Sequence, residues 1–386
     1  MDTMADTSEL SEMLSQLKLA RMSELSQKDI YVLDLAVQHS DSSEKLLAAT
    51  SSNHTIRLFN YGSGTLKGTQ HVTAHTDVIS GIQFGKSEHN LLFTSSFDKT
   101  IKCWDTRTNM KNPVQTLEGY DETNNIFTSF DVNSNDRVVC AGTEPRNKNS
   151  ETHIIFWDRR QGSLMGAYNE SHQDDITQVC FHPEDPDCVA TGSTDGLVCV
   201  FDLGQATEDD ALKLTLNSES SVAKIGWCGE RRKDLFCLTH IDTMNVWDTQ
   251  NDGEDVMELK DLKETLKGDD SIDYLVDCFD VNNRLLLTTG THSGDIRLVD
   301  VSGDAPSVVT TLSKGHNSTV RVTYWDSKTS SLVTGGEDSF LCLWSKDGQL
   351  HTPHGTVSVA ESRTTPSHGK IKSKMKSGSH KKSRPY

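Results

Sequence analysis

The side chains able to do chemistry are histidines standing 22 or 23 residues ahead of an aspartate, nine cysteines, two short glycine-rich runs, and two arginines that follow a Trp-Asp pair. His75 with Asp98, His172 with Asp195 and His316 with Asp338 invite an acid–base reading. The same pairing recurs at matching places, however, which marks an architectural repeat rather than an acid–base site. No cysteine pair has CxxC spacing. Cys180 with His182 and Cys237 with His240 are the only close Cys/His pairs, whereas structural zinc takes four ligands from two such knuckles. An odd number of cysteines at irregular intervals predicts nine free thiols. The runs at 61–64 and 192–196 lack the G-x-S-x-G elbow and fit turns where glycine supplies a positive φ. No Walker loop, dinucleotide fingerprint or H-E-x-x-H occurs. The residues therefore predict no catalytic, metal or cofactor site, no small-molecule substrate, and no enzyme.

What these residues sit on is a repeated hairpin. Leu91 to Arg107 reads LLFTSSFDKTIKCWDTR: an apolar run into small residues, a break at Asp98, then a β-branched and aromatic run ending in Trp-Asp. The pattern returns at 188–202 and at 331–345. Hairpin endings fall at Phe59, Trp104, Trp157, Phe201, Trp247, Val299 and Trp344, spaced 45, 53, 44, 46, 52 and 45 residues apart. Seven endings mean seven units.

This arrangement resembles the WD40 repeat family, whose unit is a four-stranded blade opening near Gly-His and closing near Trp-Asp. The resemblance covers about nine tenths of the chain. It implies an all-β fold, a seven-bladed WD40 β-propeller, to which the Ser- and Lys-rich composition after it adds a disordered basic C-terminal tail. It further implies a structural tetrad of His, Ser or Thr, Asp and Trp, here His75, Thr94, Asp98 and Trp104 in blade 2 and His316, Thr334, Asp338 and Trp344 in blade 7. Blade 4 offers His172, Thr191 and Asp195 but has Phe201 in place of Trp, and Phe donates no N–H. Blades 1, 3, 5 and 6 carry Asn53, Glu151, Ile241 and Ser293 at the Asp position, so they are expected to rely on packing alone.

Along the chain, residues 1–16 read as a flexible acidic segment, 17–350 as the propeller and 351–386 as the tail. The N-terminus lacks the basic and apolar regions of a secretory leader, and no apolar run approaches a membrane span. An intracellular protein without membrane contact is expected. Leu10, Met13, Leu14 and Leu17 recur at helical spacing. In the resembling family, though, an N-terminal strand closes the last blade, so a strand from about Leu17 after one helical turn is expected. Insertions at 144–151 and 251–270 explain the long spacings, and the second, rich in Asp, Glu, Lys and Gly, reads as a mobile surface loop.

Two features speak of partners. Trp104-Asp105-Thr106-Arg107 and Trp157-Asp158-Arg159-Arg160 both read WDxR. Paired WDxR repeats resemble the docking signature of substrate receptors that bind the damage-specific DNA-binding protein adaptor of cullin-RING ubiquitin ligases, with Asp105, Arg107, Asp158 and Arg160 as the docking residues. A guanidinium there can grip a carboxylate or carbonyl in bidentate fashion. Charge is the second feature. Residues 362–386 hold six Lys, two Arg and no acid, which leaves −26 on residues 1–361 of a chain whose formal net charge is −18. Lys370, Lys372, Lys374, Lys376, Lys381, Lys382 and Arg384 read as a nuclear or nucleolar targeting cluster. An acidic ring repels phosphate, so nucleic acid is expected at most at the tail, and basic proteins such as histones or ribosomal proteins fit the ring. Two functions stay open: a non-enzymatic scaffold in a nuclear or ribosome-related assembly, and a ubiquitin-ligase substrate receptor.

Overall fold

The computed structural model describes residues 2–25, 30–62, 64–119, 126–145, 151–303 and 305–346. The strands group into seven four-stranded antiparallel sheets, each built mostly from consecutive strands. Blade 1 runs from the inside outward as Val32–Val37, Glu44–Ser51, Thr55–Gly62 and Thr65–Thr73, and blades 2 to 6 follow over 79–118, 126–168, 176–217, 222–259 and 274–312. Blade 7 takes its three inner strands, Val320–Asp326, Ser331–Gly336 and Phe340–Ser345, from the end of the ring and its outer strand, Lys18–Glu24, from the beginning. Leu19 stands opposite Trp344 in that antiparallel pair. The two ends of the propeller are thus hydrogen-bonded into one sheet, which leaves the ring no terminal edge.

The core is distributed around the ring, one apolar layer per blade junction. Phe93, Ile101, Phe127, Val139 and Trp157 fill the junction of blades 2 and 3, and corresponding clusters fill the other six. Small residues let neighbouring blades approach. A Cβ on Gly142 would lie 2.4 Å from Ile176, one on Gly192 would lie 2.7 Å from Val222, and one on Gly335 would lie 2.6 Å from Val32.

Each inner strand is the edge of its own sheet, so some of its backbone groups need partners from outside it. Neighbouring blades supply them. Asp34 Oδ2 accepts the Ile82 N–H at 3.1 Å, Gln83 Oε1 the Val132 N–H at 3.3 Å, and Asp131 Oδ2 the Phe181 N–H at 2.7 Å. The hydroxyls of Thr128 and Thr177 donate to the Ile176 and Val222 carbonyls at 2.7 and 2.8 Å.

Three expectations are corrected. In place of one helical turn in a flexible segment, Asp2–Ser15 is a 14-residue helix. Its Leu10 and Leu14 are fully buried with Leu312 and Trp344 at the junction of blades 6 and 7, and that burial stabilises a helix whose length alone would leave it marginal. The stretch 251–270 is no loop. It forms the outer strand Glu254–Leu259 of blade 5 and a one-turn helix, Leu262–Thr265, with Leu262 and Leu266 buried against Leu287 and Val299. Its charges face water while two leucines four apart anchor it. Nor do blades 1, 3, 5 and 6 rest on packing alone. Ser51, Asn53 and Thr55 bond one another in blade 1, Thr239 and Thr243 in blade 5, and Thr291 and Ser293 in blade 6, while Thr143 Oγ1 accepts the His153 N–H in blade 3. Short Ser, Thr and Asn side chains thus supply hydrogen bonds in blades that lack the His–Asp pair. Residues 146–150 of the other insertion and the whole basic cluster 370–384 lie outside the described residues.

Candidate interaction sites

In blade 2 the strand pairing sets Thr94 opposite Lys102 and Trp104 opposite Leu92, so Thr94 and Trp104 lie diagonally across the hairpin, and the preceding loop lowers His75 between Thr94 and Asp98. His75 Nδ1 is 2.9 Å from Asp98 Oδ2, His75 Nε2 is 2.8 Å from Thr94 Oγ1, and the Trp104 indole donates to Thr94 Oγ1 at 3.0 Å. One neutral tautomer satisfies the series: indole N–H to hydroxyl oxygen, hydroxyl to Nε2, Nδ1–H to carboxylate. The pKa shifts agree. Burial lowers His75 and outweighs the pull of Asp98. Burial opposes the charge of Asp98, but hydrogen bonds from His75 and Thr100 more than compensate and hold it well below the usual carboxylate range. Blade 7 repeats the geometry, with His316 to Thr334 at 2.8 Å, His316 to Asp338 at 3.1 Å and Trp344 to Thr334 at 2.9 Å. In blade 4, His172 lies 2.7 Å from Thr191 and 3.2 Å from Asp195, and Phe201 packs without a hydrogen bond where the indole would stand.

A hydroxyl, an imidazole and a carboxylate in series is also the arrangement of a nucleophile, base and orienting acid. Here Thr94, Thr191 and Thr334 are fully buried. A nucleophile needs an open approach, whereas each of these hydroxyls is closed off from solvent and hydrogen-bonded to an imidazole.

The two WDxR turns lie on adjacent blades, and in each the aspartate caps the turn: Asp105 Oδ1 accepts the Arg107 N–H at 3.0 Å and Asp158 Oδ1 the Arg160 N–H at 2.8 Å. Asp202, Asp248 and Asp300 cap Gly204, Gln250 and Ser302 in the same way. The Asp of Trp-Asp is therefore a turn residue first. The arginines differ. Arg107 folds back on Asp105 in a bidentate pair, 2.9 and 2.6 Å, which lowers the Asp105 pKa. Arg160 is exposed, and its guanidinium makes no hydrogen bond among the described residues. Beside it, Arg159 bonds Glu88 and the Asp136 carbonyl.

Reading the sequence missed the central channel, a cavity of about 440 Å³ lined by the inner strands. Lys224 Nζ lies 2.6 Å from Asp277 Oδ2, and Asp34 stands near enough to feel both. Burial pushes Asp34 up to about 6, against the pull of Lys224. For Lys224, burial opposes the charge, but Asp277 outweighs it and the pKa is raised. The available signal was a polar residue two positions after the first buried residue of an inner strand: Val32 then Asp34, Val222 then Lys224. A β-bulge recurs there in every blade. Among the described residues no group of three or more His, Cys, Asp or Glu could hold a metal ion, and no helix is long and apolar enough to cross a membrane.

The model of the family described as "Nucleolar protein 10-like, N-terminal domain" matches residues 34–266, and that of the WD domain, G-beta repeat, matches 306–345. The chain is 29% identical over 324 residues to the WD repeat-containing protein 89 homolog of Dictyostelium discoideum, covering 83% of this chain and 84% of that protein. It is 30% identical over 321 residues to the WD repeat-containing protein GTS1 of Arabidopsis thaliana, covering 78% of each. A shorter match, 27% over 211 residues, joins 54% of this chain to 25% of the human GATOR2 complex protein WDR24. Seven four-stranded blades, the Thr–His–Asp networks and these matches together show that the chain belongs to the WD40-repeat family of β-propellers.

Proposed function

We propose that this chain is a non-enzymatic interaction platform in a nucleolar or ribosome-related assembly. The observation that carries the reading is the match of residues 34–266 to a propeller family described by a nucleolar protein. Charge supports it: −26 over residues 1–361 favours basic partners such as ribosomal proteins or histones, and the +8 of residues 362–386 fits a nuclear targeting segment. A relative named as a complex protein is in keeping with a platform role. The test uses fluorescent fusions of the full chain and of a version ending at residue 361. The full chain should concentrate in nucleoli and the shortened one should spread into the cytoplasm. A full-length fusion excluded from the nucleus would overturn the reading.

The ubiquitin-ligase reading stands second, on the paired WDxR turns. One observation weighs against it: the fork of Arg107 is already engaged by Asp105, so a partner carboxylate must displace an existing bidentate pair. Replacing Arg107 and Arg160 together by Ala should abolish co-purification of the adaptor if this reading is right, with Arg57→Ala as the charge control. Equal recovery of adaptor by wild type and double variant, or none by either, discards the receptor.

A further inference from the structure

The outer strand of each blade slips by one residue against its neighbour at one register, and the residue left over differs in kind from blade to blade. The slip skips Thr69, Met165, Lys213, Val256 and Val309 in blades 1, 3, 4, 5 and 6, and Ala20 in blade 7. In blade 2 the same place is held by Val114, whose N–H donates to the Cys103 carbonyl at 2.8 Å while Cys103 pairs with Gln115. Thr69 and Lys213 suit an exposed rim, and Ala20 is buried. Val114, Met165 and Val256 do not suit it, being 59%, 60% and 55% exposed. Val309 shows how the molecule treats such a residue, for in blade 6 the helix Asp2–Ser15 lies over the outer strand and its Leu10 and Leu14 share a cluster with Val309 and Leu312.

Edge strands are ordinarily guarded by charge. Blade 5 guards its own with Glu254, Asp255 and Glu258, and blade 4 with Lys213. Ser307–Leu312 of blade 6 (SVVTTL) carries no charge and is the strand under the helix. Ser163–Tyr168 of blade 3 (SLMGAY) carries no charge either and lies open, with Leu164 44% exposed beside Met165. It begins next to the blade 2 rim: Gln115 Nε2 donates to the Arg159 carbonyl at 2.6 Å, and a Cβ on Gly162 would lie 3.0 Å from that Nε2. A cavity of about 440 Å³ lies at this junction, with Val114, Arg159 and Arg160 in its lining.

We propose that the rim of blades 2 and 3, formed by Val114, Leu164 and Met165 with Arg160 at its end, docks an amphipathic helix of a partner protein. That helix presents leucines at i and i+4 to the apolar residues and an acidic side chain to Arg160. The bulge at Met165 interrupts the ladder that an added strand would need, and a helix is what this chain itself lays over the equivalent position of blade 6. Arg160 supplies an unengaged cation for the acid. The proposal rests on the platform reading only in requiring a partner, and its test in solution leaves nuclear placement untouched.

The probe is a fluorescent peptide of residues 2–17 of this chain, because its Leu10, Leu14 and Leu17 stripe with Glu9 and Glu12 has the required chemistry. Added to the full chain and followed by anisotropy, it should bind with Kd of about 10 μM. The double variant Val114→Asp/Met165→Asp and the single variant Arg160→Glu should each weaken binding about tenfold or more, whereas Val256→Asp, the same register on blade 5, should leave it unchanged. All these positions are exposed, so thermal midpoints should match wild type. No binding at about 1 mM peptide, binding retained by the double variant, or equal loss with Val256→Asp overturns the proposal. So does a wild-type dimer in sedimentation that Met165→Asp dissociates, since the occupant is then a second copy of this chain.

Discussion

Asp98 gathers more than its histidine: it also accepts the Thr76 and Thr100 N–H groups at 3.2 and 3.1 Å and the Thr100 hydroxyl at 2.6 Å. Asp98→Ala strands all of these and should cost about 3 kcal/mol. Asp195→Ala, in a network without an indole, should cost less, and calorimetry that ranks the two the other way would refute the assignment. The sign of the pH effect follows from the carboxyl being held below its ordinary 3.8. The unfolded chain takes up the proton first, so the stability Asp98 confers is present above that value and lost as pH falls below it. The gap between wild type and Asp98→Ala should therefore be flat above about pH 5 and close in acid. The nine cysteines are free thiols, all raised by burial, with Cys103, Cys180, Cys188, Cys199 and Cys237 pushed up to about 12. Since the thiolate is what reacts, a disulfide reagent should label none in the native protein and all nine after denaturation. The His–Asp spacing was legible in the sequence because it recurs in three blades, and the resemblance to the WD40 family pointed to the Thr and Trp beside it. Lys224 and Asp277 were not, because their pairing joins different blades across 53 residues and no local pattern announces it.

Among elements, the N-terminal helix is the one whose burial can be tested cleanly. Leu10→Asp with Leu14→Asp places two charges in a layer that contains Trp344 and Leu312 and should cost roughly 4 kcal/mol or more. Hydrogen exchange should then accelerate first in Ser307–Leu312 and Lys18–Glu24, the strands next to the helix. Protection unchanged in both would mean the helix contributes nothing to the rim. The leucine spacing was visible beforehand, but a strand and a short helix compete for the same few residues. What decides between them is an apolar surface on blades 6 and 7 that local sequence does not display. The same holds for 251–270, where charge density suggested a loop and two leucines four apart, Leu262 and Leu266, carried the contrary signal.

At the scale of the molecule, seven junctions share the apolar core and every blade leans on two others. Trp344→Ala removes an indole from the closing sheet and the core beneath the helix at once, and should cost about 4 kcal/mol. Calorimetry should show one transition at a lower temperature. Two resolved transitions would mean that blades melt separately. Blade 7 also sets a schedule for synthesis. Lys18 to Glu24 leave the ribosome early, yet their partners in Phe340–Ser345 come more than three hundred residues later, an interval on the order of tens of seconds at ordinary elongation rates. Until then the closing strand is an unpaired ribbon and the growing ring an open arc, each able to recruit a neighbouring nascent chain.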